Sequence, residues 1–368
     1  MTYVLFTILL GYPALYLFFI LTGFLSRKRI TPLRDEQFRP AVTIIIASAG
    51  EGADVLQTKL KNTLSLQYPP ELLELILFSD GHPFPAALDR QAFVNIRFVQ
   101  FEQLGKTECQ NLCAAMAKGE VIVFTDITAT LDSNALLAMT RWYADPRVGS
   151  VGGTFEYRFT SANAEAEYLS REIRNKALQG RSGFVTGYFG PLYSVRRSVY
   201  QPMPAFYPAD LMLPIMVSWS GSLSLLDPES ISYRVLDRKM EQEVGRKRRI
   251  IAQALAATLR FLREKGMGLR ERPDMLSAIL TRKLFRWLLA PYGLFLYLSL
   301  LSFPAVFIAV SVMLFGMIAW SGLYARSDGR SHALLAPYYG LMIFTATLLA
   351  IQDVLRGENY AAWRPGSR

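Results

Sequence analysis

Val42-Thr-Ile-Ile-Ile-Ala47 is the stretch that decides the fold of this chain. The run is short and β-branched, and it lies between Pro40 and the turn residues Ser48-Ala49-Gly50. A continuous apolar run of this length, bounded by turn residues, predicts a fully buried strand. We therefore expect the segment to lie in the interior of a domain.

Strand-like and helix-like segments alternate downstream of this run. Apolar residues at helical spacing predict a helix from Asp54 to Leu66, which Tyr68-Pro69-Pro70 ends. By the same criteria the later segments are, in chain order, a strand at Leu72–Phe78, a strand at Val94–Phe98, a helix at Thr107–Lys118 and a strand at Val121–Phe124. This alternation predicts an α/β fold with a parallel sheet.

Acidic residues follow the ends of three predicted strands, at Glu51, Asp80 and Asp126. Each acid alone has an ordinary structural explanation, because Asp before Gly is common in turns and a Glu can begin a helix. Ligands of parallel sheets bind beyond the carboxyl ends of the strands, so three acids there predict a binding site. The first strand has no Gly-x-Gly-x-x-Gly run after it, which argues against a Rossmann dinucleotide enzyme.

Apolar residues make up 51% of the 368 residues and concentrate at the two ends of the chain. Tyr3 to Leu25 is uncharged, is long enough to span a hydrocarbon core of about 30 Å, and is followed by Arg27-Lys28-Arg29. Leu284 to Tyr324 is long enough for two spans, with a break near Ser302-Phe303-Pro304. A further apolar segment, 333–352, either spans or lies in the interface. Basic flanks predict that the middle of the chain is cytoplasmic.

The net charge of +10 lies largely beside these apolar segments, at 27–29, 246–249 and 282–286. Anionic lipid and a diphosphate substrate explain this distribution better than nucleic acid does. The segment 250–262 carries a stripe of Ile251, Leu255, Leu259 and Leu262 beside arginines. The stripe predicts an amphipathic helix at the membrane surface, with a core helix of the soluble domain as the alternative.

Cysteine occurs twice, at Cys109 and Cys113. Two cysteines on one helical face make a poor disulfide framework. We expect both to be reduced and buried.

Nine short motifs follow one another along the chain. They are Ala47-Ser48-Ala49-Gly50-Glu51, Ser79-Asp80-Gly81, Gly105-Lys106 with Asn111, Phe124-Thr125-Asp126, Gly187 with Gly190, Leu192-Tyr193-Ser194-Val195-Arg196-Arg197, Asp210-Leu-Met-Leu-Pro214, Asp227-Pro228-Glu229, and Gly245-Arg246-Lys247-Arg248-Arg249-Ile250. In order and spacing they resemble the family 2 glycosyltransferases. The resemblance is closest to the membrane-embedded members that build bacterial surface polysaccharides, related to the cellulose, hyaluronan and poly-N-acetylglucosamine synthases. It covers nearly the whole chain.

The resemblance implies a GT-A-type, Rossmann-like glycosyltransferase domain of the α/β class with flanking transmembrane helices. It implies that Asp210 is the catalytic base of an inverting transfer; the alternative from the residues alone is a helix N-cap ahead of Leu211. The implied donor-binding residues are Glu51, Asp80, Lys106, Asp126 and Arg249, and the candidate acceptor or phosphate contacts are Gly187, Gly190, Arg196 and Arg246.

The residue types suit the chemistry of a nucleotide-sugar. The carboxylates of Glu51 and Asp80 can accept hydrogen bonds from ribose hydroxyls and from a base N–H group. The leaving diphosphate develops negative charge, so we expect a divalent cation, Mg²⁺ or Mn²⁺, and fixed positive groups such as Lys106 to offset it. Asp126 is the candidate metal ligand because hard cations take carboxylate oxygens.

Three positions depart from the family pattern. Thr128 stands where the metal-binding motif ends in Asp or Asn, which weakens the expected metal affinity. Ala209 stands where relatives often have a second acid before the base. Processive members carry Gln-x-x-Arg-Trp, and here those positions begin with Arg246 and end with Ile250, which argues against processive polymerisation.

The predicted organisation has five parts. They are a transmembrane anchor at 1–26, a cytoplasmic transferase domain at 38–245, an amphipathic interface region at 246–282, transmembrane segments at 284–353 and a tail at 354–368. The expected location is the bacterial inner (cytoplasmic) membrane, multi-pass. The expected partners are a nucleotide-sugar, a lipid-linked or glycan acceptor and polysaccharide-assembly proteins, with no nucleic acid.

The leading function is transfer of a sugar, from a UDP-sugar by the family's preference, in surface polysaccharide synthesis. One alternative is a processive synthase that also extrudes its polymer. The second is a non-catalytic membrane partner with a degenerate transferase domain.

Overall fold

The computed structural model describes residues 11–21, 30–158, 164–235, 240–269, 271–326 and 335–357. These residues form two compact units. The first unit contains residues 30–158 and 170–235, and the second contains 11–21, 164–169, 240–269, 271–326 and 335–357. Much of the predicted anchor and most of the predicted tail lie outside the described residues.

The strands and helices have the following bounds. The strands are β1 (Val42–Ser48), β2 (Leu73–Asp80), β3 (Ile96–Phe101), β4 (Val121–Asp126), β5 (Thr130–Leu131), β6 (Val148–Arg158), β7 (Leu192–Arg196) and β8 (Leu223–Val235). The helices are α1 (Gly11–Leu21), α2 (Ala53–Leu64), α3 (Lys106–Met116), α4 (Ala135–Thr140), α5 (Ala164–Gly180), α6 (Ala209–Trp219), α7 (Met240–Leu269), α8 (Pro273–Ile279), α9 (Phe285–Ser299), α10 (Pro304–Arg326) and α11 (Leu335–Leu355).

The first unit is built on one eight-stranded sheet of order β3-β2-β1-β4-β7-β6-β8-β5. Its first four strands are parallel, and helices alternate with them, so the parallel α/β prediction is confirmed for this half. Every residue of β1 is buried, as its apolar run predicts. Observed and predicted bounds of these elements agree to within three residues.

The second half of the sheet is mixed. β7 pairs with β4 in the antiparallel direction and also antiparallel with β6, whereas β6 and β8 run parallel. The apolar pattern does not predict these strands, because their polar and glycine residues interrupt it. Cys109 and Cys113 are buried in α3 and unbonded to each other, as expected.

The second unit is helical. α8 and α9 form a continuous helix, Pro273–Ser302, which is the one helix among the described residues long and apolar enough to cross a membrane by length and composition. Phe303 leaves helical geometry and Pro304 begins α10, so the predicted break is confirmed. The third apolar segment forms α11, and its end is tied to α7 by an ion pair between Arg248 and the buried Asp353.

The predicted amphipathic stripe lies on α7. Leu255 is buried, whereas Leu259 is 41% exposed. The buried face of the helix runs through Ala252, Leu255 and Phe261, and the place of the stripe at a membrane surface stays a prediction. α7 packs against α11, and small alanine side chains on this face permit close approach of two helices.

Candidate active site

The three strand-end acids lie at one edge of the sheet. Ala47 at the end of β1 is level with Phe78 on β2 and with Asp126 at the end of β4. Glu51 and Asp80 follow within a few residues of this level. The predicted gathering of acids beyond the carboxyl ends of parallel strands is therefore confirmed, while their roles toward a ligand stay predictions.

Glu51 and Asp80 organise the loops that carry them. Oε2 of Glu51 accepts hydrogen bonds from Ser48 Oγ and the Ala49 N–H, both at 2.7 Å. The two oxygens of Asp80 accept from the N–H groups of Leu104 and Gly105, at 2.7 and 3.0 Å. Both carboxylates are buried.

Asp80 ties the end of β2 to the start of α3. Gly105, at the N-cap of α3, has a φ of 91°, which lies in the left-handed region that favours glycine. Lys106 is the first residue of the helix. The bonds from Asp80 thus fix the point from which the Lys106 side chain projects.

Asp126 lies between two cations. Lys106 Nζ is 2.5 Å from its Oδ1, and Arg234 Nη2 is 3.5 Å from its Oδ2. Burial on its own would raise the pKa of Asp126, but Lys106 and Arg234 outweigh burial and lower it. The carboxyl group is therefore ionised at neutral pH. Arg234 was not predicted, because the motif in β8, Asp227-Pro228-Glu229, ends five residues before it.

A buried lysine, Lys59, binds the chain on both sides of Asp126. Lys59 Nζ donates to Thr125 Oγ1 at 2.9 Å and to the Ala129 carbonyl at 2.5 Å, on the two sides of Asp126 in the chain. Thr125 Oγ1 donates in turn to the Pro191 carbonyl at 2.8 Å. Lys59 was not among the predicted site residues, although its helical spacing between the buried Leu56 and Thr63 indicates a core position.

Raising the pH above neutrality is expected to stabilise this unit through Lys59. Burial lowers the pKa of Lys59 to about 7 from 10.5, with Asp126 opposing the shift. Between these values the unfolded chain holds a proton that the folded chain has lost, so the free energy of unfolding rises with pH, by up to about 1.4 kcal/mol per pH unit. Below this window both states are protonated and the contribution is flat.

The measurement is thermal denaturation of the full chain in detergent at several pH values between about 7 and 9. In Lys59→Met the rise in stability with pH should be smaller, because the contribution of Lys59 to it is lost. Lys61→Met, an exposed lysine on the same helix, is the matched control and should keep it. Parallel pH profiles for wild type and Lys59→Met would contradict the assignment.

Asp210 faces Asp126 across Gly190. A Cβ placed on Gly190 would lie 3.2 Å from Asp210 Oδ2 and 3.8 Å from Asp126 Oδ2. Burial raises the pKa of Asp210 above its ordinary value; Lys106 opposes the rise and Asp126 adds to it. A carboxylate with a raised pKa is a better proton acceptor, which suits a general base.

Asp210 is held by its own helix and by the preceding loop. It is the second residue of α6, with Pro208 at the N-cap, so it does not occupy the N-cap position proposed as the alternative. Its Oδ1 accepts from the Leu211 N–H at 3.0 Å, and its carbonyl accepts from the Tyr188 N–H at 2.7 Å. Lys176, also missed by sequence reasoning, is buried and donates to the Tyr188 carbonyl at 3.1 Å.

Gly190→Ala is expected to lower the kcat of the sugar transfer that the resemblance implies, by about tenfold or more, while the fold is retained. The added methyl would press on the Asp210 carboxylate, and small displacements of a catalytic group are costly. Steady-state kinetics and melting temperature should be measured together. Gly266→Ala, where a Cβ would meet no atom within 4 Å, is the control. Unchanged kcat in Gly190→Ala would argue that Asp210 lies outside the reaction centre.

Two further predicted contacts, Gly187 and Arg196, lie in different places in the structure. Gly187 lies in the buried loop before Gly190. Arg196 does not reach this edge: β7 is antiparallel to β4, so Arg196 pairs with Val121 at the opposite end from Asp126. Its guanidinium bonds Glu120 and the Tyr143 carbonyl, and the predicted role as an acceptor or phosphate contact is corrected to a structural one.

Arg246 and Arg249 belong to α7 in the second unit. Both side chains are partly buried and take part in polar or electrostatic contacts there. Their predicted roles at the donor stay predictions.

Asp126 is the candidate protein ligand for a metal ion at this edge. Across the described parts of the chain, no three His, Cys, Asp or Glu side chains are grouped so that they could hold a metal ion. Mg²⁺ is nevertheless commonly held by one or two carboxylates together with substrate phosphates. Asp126, at the end of β4, fits that requirement for a cation that arrives with a diphosphate.

Comparison with known proteins places this fold among those that glycosyltransferases use. A mannosyltransferase from Pyrobaculum calidifontis, solved in complex with GDP-Man and Mn²⁺, aligns with a TM-score of 0.69 and 18% identity, over 96% of this chain and 99% of that one. At this level of identity the likeness shows the fold.

Two curated relatives carry the name N-acetylglucosaminyltransferase. The protein of Rhizobium meliloti is 24% identical over 52% of this chain and 50% of its own length. That of Rhizobium sp. is 23% identical over 61% of this chain and 55% of its own length. The chain thus spans about half the length of the curated relatives it matches. No family model matches the chain.

Proposed function

We propose that the protein is an inverting glycosyltransferase of the family 2, GT-A type. It transfers a sugar from a nucleotide-sugar to a lipid-linked or polysaccharide acceptor. One observation carries the proposal: Asp126, paired with Lys106, and Asp210, with its raised pKa, face the same point beside Gly190 at the carboxyl edge of the sheet. Lys106, the proposed phosphate-binding group, and Asp210, the proposed proton acceptor, therefore lie at the same edge of the sheet.

Each residue has a defined task in this mechanism. Asp210 takes the proton of the acceptor hydroxyl as that oxygen attacks the anomeric carbon. Lys106 offsets the negative charge that develops on the leaving diphosphate. A divalent cation held by Asp126 would act there as a Lewis acid. One base opposite one leaving group is the arrangement of a single displacement, which inverts the anomeric centre.

The donor proposed for the first test carries N-acetylglucosamine. The names of both curated relatives support this choice, and the resemblance to family 2 supports UDP as the nucleotide. GDP-Man is the second donor to test, because the structural neighbour binds it.

The test is donor turnover by the purified full chain in detergent. UDP-N-acetylglucosamine and GDP-Man are supplied with Mg²⁺ or Mn²⁺ and with membrane lipid extract as the acceptor, and the released nucleotide and labelled product are measured. Turnover that Asp210→Asn lacks supports the proposal. Absence of turnover and of nucleotide binding would favour the non-catalytic alternative, which Thr128 and Ala209 motivate. Long products would favour the processive one.

We further propose a membrane location with the first unit in the cytoplasm. Exposed apolar side chains on α1 and α10, including Phe18 and Phe315, support membrane contact. The basic clusters support the orientation. Ser65→Cys should be labelled by a membrane-impermeant thiol reagent only after the cells are opened, since the native cysteines are buried. Labelling of intact cells would reverse the orientation.

A further inference from the structure

Arg234 lies beside the candidate metal ligand. Its Nη2 is 3.5 Å from Asp126 Oδ2 and 3.4 Å from Thr128 Oγ1. Hydrogen bonds between a guanidinium and a carboxylate are ordinarily about 2.7–2.9 Å long, so both contacts are weak. A quarter of the Arg234 side chain is exposed, which leaves it accessible to a ligand at this edge.

The sheet, rather than a loop, positions Arg234. On one side Arg234 pairs with Tyr157 of β6. On the other, its neighbour Tyr233 pairs with Thr130 of β5, directly after the turn that carries Thr128. Strand pairing on both sides therefore fixes the backbone from which the Arg234 side chain extends towards the end of β4.

Two basic side chains at this point, Lys106 and Arg234, can attract an anion. Thr128 stands where the family pattern has an acid, so the turn itself contributes one carboxylate, Asp126, and a second carboxylate, Asp210, lies across Gly190 from it. A divalent cation entering here is attracted by Asp126 and repelled by both basic side chains. A diphosphate is attracted by both, and arginine can bind phosphate through two parallel N–H groups.

We propose that Arg234 binds the diphosphate of the donor directly, so that donor binding has a component that needs no divalent cation. The inference rests on the proposed function and adds a donor ligand to it. On donor binding, the guanidinium exchanges its long contacts with Asp126 and Thr128 for phosphate oxygens. Asp126 then remains available to a cation that binds afterwards.

The test is isothermal titration of the full chain in detergent with UDP and, in parallel, with GDP, once in EDTA and once in Mn²⁺. Wild type should bind one of the two nucleotides in EDTA. Arg234→Ala should weaken that affinity about tenfold or more, the effect expected from loss of a charge-assisted hydrogen bond. Arg234→Lys keeps the charge without the paired N–H groups and should be intermediate. Arg97→Ala, an ion-paired arginine near the amino end of β3, is the control.

The outcomes separate this inference from the proposed function. Binding in EDTA that Arg234→Ala leaves unchanged would overturn the inference, and so would wild-type binding that occurs only with Mn²⁺. In both cases nucleotide is still bound and the proposed function stands. Failure of wild type to bind UDP or GDP under either condition would remove the proposed function and this inference with it.

Discussion

Asp126→Ala is expected to reduce sugar transfer to the assay background, a loss of about 10³-fold or more, since a Lewis-acid cation supplies several kcal/mol and each 1.4 kcal/mol is tenfold in rate. The substitution removes the carboxylate at the end of β4 and leaves Lys106 and Arg234 without their shared partner. Mn²⁺-dependent UDP binding should disappear with the activity. UDP binding in EDTA should persist, because both cations remain.

The matched control for this substitution is Asp89→Ala. Asp89 is an exposed turn residue whose Oδ1 accepts from the Gln91 N–H, and its loss should leave transfer unchanged. Thr128→Asp should act in the opposite direction and tighten Mn²⁺ binding, because it adds a carboxylate to the same turn. If Asp126→Ala retains ordinary activity, the cation and the leaving group bind elsewhere.

Asp210→Asn should lower kcat by about 10² to 10⁴-fold, the range that general-base catalysis contributes. The amide has nearly the same shape, and its oxygen can still accept from the Leu211 N–H, but it cannot take a proton at neutral pH. Donor affinity should change little, because the proposed donor ligands are other residues. The variant should therefore fold normally and separate binding from chemistry.

The pH profile supplies a second readout for Asp210. The base must be ionised to act, and burial raises its pKa, so wild-type kcat should fall with acidification at a pH above that of an ordinary aspartate. The residual activity of Asp210→Asn should lack this acid limb. A purely structural role at the start of α6 predicts near-normal turnover instead, because the Asn side-chain oxygen can still accept the hydrogen bond from the Leu211 N–H. Retained turnover would remove Asp210 as the base.

The parallel half of the sheet was predictable because its information is local. The β-branched run 42–47 is short, apolar and bounded by turn residues, which favours a buried strand. The helices between the strands have their own apolar periodicity and stop signals. The level at which Glu51, Asp80 and Asp126 meet then follows, since parallel strands share one carboxyl edge. The resemblance motifs added Asp210 and Gly190, which the structure brings next to Asp126.

Arg196 illustrates where local information ends. Its motif follows Gly190 by only a few residues, which suggested a place in the site. The direction of β7 against β4 carries it to the opposite end of the sheet. The direction of a strand depends on how segments distant in the chain pair, and the residues of a short motif do not determine that pairing.

The sequence by itself determined the parallel α/β core, the edge at which a ligand would bind and the acids that line that edge. The resemblance motifs added Lys106 as one cation beside them, and only the tertiary structure identified the others. Lys59, Lys176 and Arg234 come from α2, α5 and β8, far apart in the chain, and no local pattern distinguishes them from ordinary surface residues except the apolar spacing around Lys59. Their positions result from packing and strand register over the whole domain, and electrostatic interactions between side chains depend on the resulting distances and burial.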